Sequence, residues 1–284
     1  MSVIAKLLDG LIDYAGLYPP ASLDLLAVTR NYLCYRQGKD AVALGRLIVD
    51  LSRVGELRDV AGDSQQEFHL SVTASASPDV DSLLRFLDAG LPIEAIEIRA
   101  DTPSAIERIA RQLPVGVTAY FEVPVKGTDA AVLDAIYAAS ARVKLRLGGL
   151  AVEAFPSSSA ISGTLQAIAD RSLLFKATAG LHHPLRGRYP FTDAPGSAVG
   201  TMHGFVNLSC AAALLHLGGT VTDAELILDE MDRNAWQVST DTIRWRDLSW
   251  STLQIEEVRR EFFCSIGSCS FTQPLAEIGA LGWL

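Results

Sequence analysis

Strand-like and helix-like segments alternate along the chain as far as about residue 218. Eight short apolar runs are predicted as strands, at residues 11–16, 44–50, 67–75, 94–100, 115–124, 142–147, 173–179 and 200–207. Parallel strands need crossover connections, and regular alternation of strand and helix is typical of a parallel sheet. Eight such units favour a closed barrel over an open sheet. The predicted fold class is therefore α/β, a (β/α)8 TIM barrel.

Polar caps mark where several of the intervening helices are predicted to begin. Ser77 with Pro78, and Thr102 with Pro103, each place a capping side chain before a proline, which suits the first helical position. Ser251 followed by Gln254 is the pattern of a capping box and predicts a helix over residues 251–264.

The alternation ends near Gly218, and this change divides the predicted architecture in two. Residues 1–218 are predicted to form a catalytic TIM-barrel domain. Residues 219–284 are predicted to form a mostly helical C-terminal extension packed on that barrel. Covering the barrel and forming a homo-oligomer contact are both open roles for the extension.

Composition excludes several classes of protein. The chain has 284 residues, a formal net charge of −9 and a pI near 5.0, whereas a nucleic-acid-binding protein normally presents a basic face. The same charge gives no attraction to an anionic membrane surface, and no apolar run approaches the roughly 20 residues of a membrane span. The four cysteines match no zinc-site spacing. We expect a soluble cytoplasmic protein that binds neither nucleic acid nor membrane.

Two adjacent predicted strands carry lysines where apolar side chains are expected. In the run 142–147, Lys144 and Arg146 share one face, and in the run 173–179, Lys176 shares a face with Thr178. Strands covered on both faces are nearly continuous in apolar residues. Ionisable groups inside them are costly unless they are paired or used in chemistry. The two lysines therefore predict a functional site.

Inward-facing positions near the C-terminal ends of barrel strands form the active sites of TIM barrels. The predicted catalytic residues are Asp13, Glu97, Lys144 and Lys176. The predicted substrate-binding residues are Glu122, Arg146, Thr178, His182, His183, Arg186, Arg188, His203 and Asn207.

Two neighbouring lysines have a recognised chemical use. A nearby cation and burial both disfavour an ammonium group, so that a neutral amine exists near neutral pH. A neutral amine attacks a carbonyl to give an imine, which draws electrons during cleavage or formation of a C–C bond. A carboxylate such as Glu97 or Asp13 can take part in the proton transfers.

Motif order along residues 11–218 resembles one known family. LIDYAGLYPP, AIEIRA, AYFEVPV, VKLRLGG, FKATAGLHH and HGFVNLSCAAALL are similar in order and spacing to strands of the deoxyribose-phosphate aldolases. These are class I aldolases on a TIM barrel, with no cofactor. The resemblance implies that Lys144 forms the imine, that Lys176 lowers its pKa, and that Glu97 moves protons through a water while Asp13 orients the network. Lys176 as the nucleophile is an alternative, because both strands fit the pattern.

Departures from the family pattern affect the predicted substrate. Leu145, Arg146 and Leu147 replace the polar residues that follow the family's imine-forming lysine, and Phe205 and Val206 replace part of its phosphate-binding turn. Arg146, Arg186 or Arg188 could hold an anion instead. The predicted function is a class I aldolase-like lyase that acts on a small anionic carbonyl or sugar-phosphate-like substrate.

Three other interpretations of these residues stay open. His182, His183 and His203, with Glu97 or Glu122, could bind a metal in a barrel hydrolase or isomerase. The barrel could instead bind a ligand or partner without catalysis. Finally, the charged residues could form an ion-pair network with a purely structural role.

Overall fold

The apolar runs of the sequence pair side by side as parallel strands. The computed structural model describes residues 1–192 and 194–284. Within them the strands are β1 (Ile12–Tyr14), β2 (Leu44–Asp50), β3 (Leu70–Ala74), β4 (Ile93–Arg99), β5 (Thr118–Val123), β6 (Arg142–Arg146), β7 (Phe175–Thr178), β8 (Gly187–Pro190), β9 (Val199–Met202), β10 (Trp236–Val238), β11 (Thr242–Trp245), β12 (Leu248–Ser251) and β13 (Phe263–Ser268). Strands β1 to β7 and β13 close into a parallel barrel in the order β1-β13-β7-β6-β5-β4-β3-β2. The predicted α/β barrel of the TIM type is confirmed.

Helices connect the strands and cover the outside of the barrel. They are α1 (Val3–Leu8), α2 (Leu25–Gln37), α3 (Val54–Ala61), α4 (Val80–Asp88), α5 (Pro103–Ala110), α6 (Ala130–Ala138), α7 (Ser158–Ala169), α8 (Phe205–His216), α9 (Val221–Asp229), α10 (Thr252–Glu261) and α11 (Thr272–Ala280). Outward strand residues such as Val72 and Ile96 lie in one apolar core with helix residues such as Leu83 and Ile106. The main apolar core is thus the layer between strands and helices, as a barrel fold requires.

The register of the strands places charged side chains at one level inside the barrel. Thr73 pairs with Glu97, Glu122 with Lys144, and Lys144 with Lys176. Side chains alternate between the two faces of a strand, so paired residues on neighbouring strands point the same way. The predicted inward faces of β4, β5, β6 and β7 therefore meet in the interior.

The prediction of an eighth barrel strand at residues 200–207 is wrong. Strand β9 pairs with β8 in an antiparallel hairpin outside the barrel, and the chain becomes helical from Phe205. Residues of α8 are apolar nearly all round and almost all buried, which suits a buried helix. The barrel is closed by β13, which pairs with β1 on one side and β7 on the other.

The segment 219–284 therefore does more than pack on a finished barrel. It supplies helices α9 to α11 and the antiparallel sheet β10-β11-β12, and it also supplies the strand that closes the barrel. Residues 1–218 contain only seven of the barrel strands within the described part of the chain. The predicted helix over 251–264 ends earlier, at Glu261, and the chain then enters β13.

Two of the three predicted helix caps are confirmed. The Thr102 side chain accepts from the Ala105 amide with Pro103 at the first helical position, and Ser251 with Gln254 forms a capping box. Ser77 is not a cap, because Asp79 takes that role for α4 and accepts from the Ser82 amide.

Helix lengths can be compared with the thickness of a membrane. Among residues 1–192 and 194–284, no helix is both long and apolar enough to cross one. The longest described helix, α2, has 13 residues, whereas a span needs about 20.

The assignment of β13 to the barrel predicts a contrast between two substitutions in the C-terminal segment. Ile266 in β13 is fully buried, so Ile266→Ala should lower the free energy of unfolding by about 2–5 kcal/mol. Leu253 on α10 is 76% exposed, so Leu253→Ala should change it by less than about 0.5 kcal/mol. Urea denaturation followed by circular dichroism measures both. Equal effects of the two substitutions would contradict a barrel strand at 263–268.

Candidate active site

Five charged side chains form a continuous chain across the inside of the barrel. Lys176 Nζ donates to Asp13 Oδ2 at 2.5 Å and to Glu97 Oε1 at 2.7 Å. Lys144 Nζ lies 2.9 Å from Glu97 Oε2 and 2.8 Å from Glu122 Oε2. The two oxygens of Glu97 are therefore divided between the two lysines. We call Asp13, Glu97, Glu122, Lys144 and Lys176 the charge cluster.

Asp13 is held on every side by neighbouring strands. Its Oδ2 accepts from Ser265 Oγ on β13 at 2.7 Å, and its Oδ1 accepts from the backbone amide of Arg46 on β2 at 2.7 Å. A Cβ atom at Gly45 would collide with Asp13 Oδ1, so β2 can approach the carboxylate this closely only with a glycine there. These contacts fix the orientation of Asp13 toward Lys176.

Lys176 is sealed inside the barrel as a cation. Its side chain is 1% exposed, and its Nζ lies 5.4 Å from the centroid of the Tyr120 ring, a cation–π distance. Burial by itself would lower the pKa of Lys176, but the charges of Asp13 and Glu97 outweigh it and raise that pKa above its ordinary value. A lysine with a raised pKa and no access to substrate is a poor nucleophile. This geometry argues against the alternative that Lys176 forms the imine.

Lys144 occupies a different environment on the neighbouring strand. It lies in the wall of an open cavity, which Lys176 does not. Its contact with Glu97 Oε2 is close, yet that oxygen has no aligned hydrogen bond within the described residues. Lys144 Nζ therefore lies between Glu97 and Glu122, next to the open cavity.

Glu97 and Glu122 have lowered pKa values and are ionised. Burial would raise the pKa of Glu97, but Lys176 and Lys144 overcome this effect and hold that pKa far below its ordinary value. Ser71 Oγ also donates to Glu97 Oε1 at 2.6 Å. Burial likewise opposes ionisation of Glu122, and Lys144 with Arg146 lowers the pKa of Glu122 to about 2.

A cavity of about 760 Å³ opens at the C-terminal ends of the barrel strands. This is the position of the active site in TIM-barrel enzymes. Its charged and polar lining residues are Tyr18, Thr73, Ser75, Glu97, Arg99, Glu122, Lys144, Arg146, Thr178, His182 and Cys269. The size suits a small organic molecule.

Three of the predicted substrate-binding residues join Glu122 at this cavity. Arg146 Nε donates to Glu122 Oε1 at 3.0 Å, with half of its side chain exposed. Thr178 lines the wall at the end of β7. His182 Nδ1 lies 3.1 Å from Ser268 Oγ. Whether any of them contacts a substrate stays a prediction.

The other predicted substrate-binding residues do not line the cavity. His183 bonds Glu277 at 2.9 Å and stacks on the ring of Tyr189, away from the charge cluster. Arg188 lies on the β8 hairpin strand, where it pairs with Thr201. Both residues come after the end of β7, and the pattern of barrel strands does not determine the path of the chain there.

Arg186, His203 and Asn207 are joined in a separate network. Arg186 contacts His203 Nδ1 at 2.9 Å and Asp229 at 3.2 Å. Asn207 accepts from the Arg186 amide at 2.9 Å and donates to backbone carbonyls at the end of α9. His203 and Asn207 were expected in the cavity because residues 200–207 were predicted as a barrel strand. Instead, β9 lies in a hairpin outside the barrel, and Asn207 lies on α8.

The three histidines of the metal interpretation do not converge. His182 contacts Ser268, His183 contacts Glu277, and His203 contacts Arg186 and the Pro156 carbonyl. In the described ranges, the group spaced for a metal ion is instead His216, Glu257 and Glu261, away from the cavity. The geometry gives no support to a metal site built on the predicted histidines.

Several residues of the site were missed by the sequence reasoning. The alternation of residues 67–75 places Ser71 and Thr73 on the same face of β3. That signal is enough to find both residues, although neither is in the predicted site. Ser265 lies in β13, which was not predicted as a strand. Tyr18 lies in the loop after β1, and its sequence context, Tyr18 before two prolines, predicts a turn but no contact.

Comparisons with known proteins leave the family open. No protein-family model and no curated protein matches the chain. A solved structure of a FabK mutant from Thermotoga maritima is similar at 14% identity with a TM-score of 0.38, over 65% of this chain and 59% of that one. The chain thus spans less than two thirds of FabK, and a likeness this weak carries no argument about function. The relationship to the deoxyribose-phosphate aldolases stays a prediction from the motifs.

The lowered pKa of Glu122 predicts sensitivity of the fold to acid. The unfolded chain binds a proton at this residue near pH 4.5, whereas the folded protein does so only near pH 2. The stability that Glu122 contributes is therefore fully present above pH 4.5 and is lost as the pH falls toward 2. Urea denaturation at several pH values should show a gap in stability between wild type and Glu122→Gln that closes on acidification.

Glu107→Gln on the exposed face of α5 is the matched control, and this variant should follow wild type at each pH. A gap between wild type and Glu122→Gln that does not change with pH would contradict the prediction.

Proposed function

We propose that the protein is a class I aldolase-like lyase in which Lys144 forms an imine with a small carbonyl substrate. The observation that carries this proposal is the contrast between the two lysines. Lys144 faces the cavity between two carboxylates, while Lys176 lies behind it at the same level, buried and hydrogen-bonded. One lysine is thus accessible to a carbonyl carbon and the other acts on it through charge.

The carboxylates around Lys144 are shared with other cations. Three carboxylates (Asp13, Glu97 and Glu122) are in contact with four cations (Lys144, Lys176, Arg99 and Arg146). Lys144 shares Glu97 with Lys176 and shares Glu122 with Arg146. By contrast, Lys176 is the one charged side chain in the described part of the chain that contacts Asp13. Two cations outside the charge cluster, Arg99 and Arg146, thus share Glu122 with Lys144.

The reaction then follows from ordinary amine chemistry. The neutral amine of Lys144 adds to the substrate carbonyl, and loss of water gives an iminium ion. As the bond between the α and β carbons breaks, its electron pair forms a C=C bond to the iminium carbon, and the C=N π pair moves to the positive nitrogen. Glu97 and Glu122 lie on either side of the nitrogen and stabilise its positive charge.

Two arginines at the rim of the cavity support an anionic substrate. Arg146 and Arg99 both contact Glu122 Oε1, and their side chains are 48% and 74% exposed. Arg146 uses only its Nε in this contact, so its terminal nitrogens can turn toward a carboxylate or phosphate. A barrel that binds a ligand without catalysis is the competing proposal, because it needs the same cavity and the same arginines.

Borohydride trapping distinguishes catalysis from binding. Wild type, Lys144→Met and Lys176→Met would be incubated with a panel of small aldehydes, ketones and sugar phosphates, reduced, and measured by intact-mass spectrometry. We expect a stable adduct in wild type that is absent in Lys144→Met. We expect Lys176→Met to form it at least tenfold more slowly, because the neighbouring cation is missing.

The exposed Lys126 gives the matched control, since Lys126→Met should trap as wild type does. An adduct that persists in Lys144→Met would name another lysine. A protein that binds the panel without forming any adduct would support the ligand-binding barrel.

Arg146→Leu should weaken binding of an anionic carbonyl compound. Losing a hydrogen bond to a charged group costs about 1.5–3 kcal/mol, which corresponds to roughly a tenfold to hundredfold rise in KM. Steady-state kinetics with a charged carbonyl compound and its neutral analogue measure the effect, which should be confined to the charged one. Equal losses for both compounds would contradict a role for Arg146 in anion recognition.

A further inference from the structure

A second polar chain leaves the cavity at the ends of strands β2 and β3. Tyr18 and Thr73 line the cavity, and Tyr18 Oη lies 2.8 Å from Thr73 Oγ1. Thr73 Oγ1 lies 3.4 Å from Asp50 Oδ2, at the end of the neighbouring strand β2. None of these three side chains contacts the lysines of the charge cluster within the described residues. The chain Tyr18–Thr73–Asp50 is therefore a separate feature of the site.

The direction of these hydrogen bonds is determined at the Asp50 end. An ionised carboxylate only accepts, so Thr73 donates its single hydroxyl proton to Asp50 Oδ2. Thr73 Oγ1 must then accept from Tyr18, and the Tyr18 proton points away from the cavity. The lone pairs of Tyr18 Oη are consequently left to accept a hydrogen bond from a molecule in the cavity, which Tyr18 and Lys144 both line.

Asp50 is oriented for this contact by the turn that follows β2. The backbone amide and the hydroxyl of Ser52 both donate to Asp50 Oδ1, at 2.9 and 2.6 Å. The other oxygen, Oδ2, is left to Thr73. The 3.4 Å separation between Thr73 and Asp50 is longer than an ordinary hydroxyl–carboxylate bond, and such contacts commonly shorten when substrate binds.

Tyr18 is suited to pass a proton on but not to ionise by itself. Burial is the main cause that raises the pKa of Tyr18 to about 12, so its hydroxyl stays protonated at neutral pH. Such a group acts as a base only if it gives up its own proton as it receives another. Tyr18 can give its proton to Thr73 Oγ1 through their hydrogen bond.

The charge cluster itself lacks a good base for the remaining step of the reaction. Cleavage of a β-hydroxy carbonyl compound requires removal of the proton from its hydroxyl group. Glu97 and Glu122 are ionised but are weak bases, because their lysine and arginine partners hold their pKa values low. Both are also occupied by the nitrogen that carries the imine.

We propose that Tyr18, Thr73 and Asp50 form the proton relay of C–C bond cleavage, an inference that rests on the proposed function. The substrate hydroxyl gives its proton to Tyr18 Oη, Tyr18 gives its proton to Thr73 Oγ1, and Thr73 gives its proton to Asp50 Oδ2. The O–H electron pair becomes the new C=O bond of the released aldehyde. The C–C electron pair forms a C=C bond between the α carbon and the iminium carbon, and the C=N π pair moves to the nitrogen, which leaves a neutral enamine on Lys144. Tyr18 is the catalytic residue of the relay, and Thr73 and Asp50 act through it.

A fluorogenic β-hydroxyketone that releases naphthaldehyde and acetone allows imine formation and cleavage to be measured separately. Borohydride trapping followed by mass spectrometry reports the imine on Lys144, and fluorescence reports the cleavage rate. We expect Tyr18→Phe and Thr73→Val to trap the imine as wild type does, but to cleave about a hundredfold more slowly or worse. Asp50→Asn should lose a similar factor, since an amide is a far weaker proton acceptor.

Conservative variants test the relay against a merely structural role. Thr73→Ser keeps the hydroxyl and should restore most of the rate lost in Thr73→Val. Tyr137→Phe, on an exposed tyrosine of α6, should cleave at the wild-type rate. Imine trapping with undiminished cleavage in Tyr18→Phe would overturn the relay and leave the proposed function intact. Failure of wild type to form an imine with this compound or with any member of the panel of aldehydes, ketones and sugar phosphates would overturn both.

Discussion

The structure depends on one carboxylate, Glu97, held between two lysines in the dry interior of the barrel. Moving any of these charges out of water costs several kcal/mol, and the loss is offset only where every charge has a partner. The charge cluster satisfies this condition by alternating acids and bases across strands β1, β7, β4, β6 and β5. The strand register that brings Lys144 level with Lys176 is therefore also the register that balances the charges. Apolar residues could fill the same space without this cost, and this is why a chemical role is proposed for the cluster.

Lys144 and Lys176 are identical side chains with different neighbours. Lys176 has Asp13, an aromatic ring and two aligned hydrogen bonds, and it is a permanent charge. Lys144 has only shared carboxylates and an opening to the cavity. The different roles proposed for the two lysines rest on their exposure and on their numbers of partners, because the residue type is the same.

The sequence allowed much of this arrangement to be predicted. Alternation of strands and helices predicted the barrel, and the period of two along each strand predicted that Glu97, Glu122, Lys144 and Lys176 face inward. What failed was the position of the closing strand. The segment 263–268 follows directly after a capped helix, so the sequence pattern extends the helix over it. Residues 200–207, in contrast, form an apolar run of the length of a strand. The misplaced strand carried His203 and Asn207 into the predicted site with it. Loop residues such as His183 and Arg188 failed for another reason, since a strand pattern says nothing about the path of the chain beyond the strand.

The pairing of the first barrel strand with β13 has a consequence for how the molecule folds. More than 250 residues separate Asp13 from its hydrogen-bond partner Ser265. The barrel cannot close until that distant segment pairs with β1 and β7. We therefore expect the cluster charges to lose their water and the backbone ladder to be completed in the same step, when β13 pairs. Non-local closure of this kind is slow, and the partly formed sheet exposes two unpaired edges in the meantime.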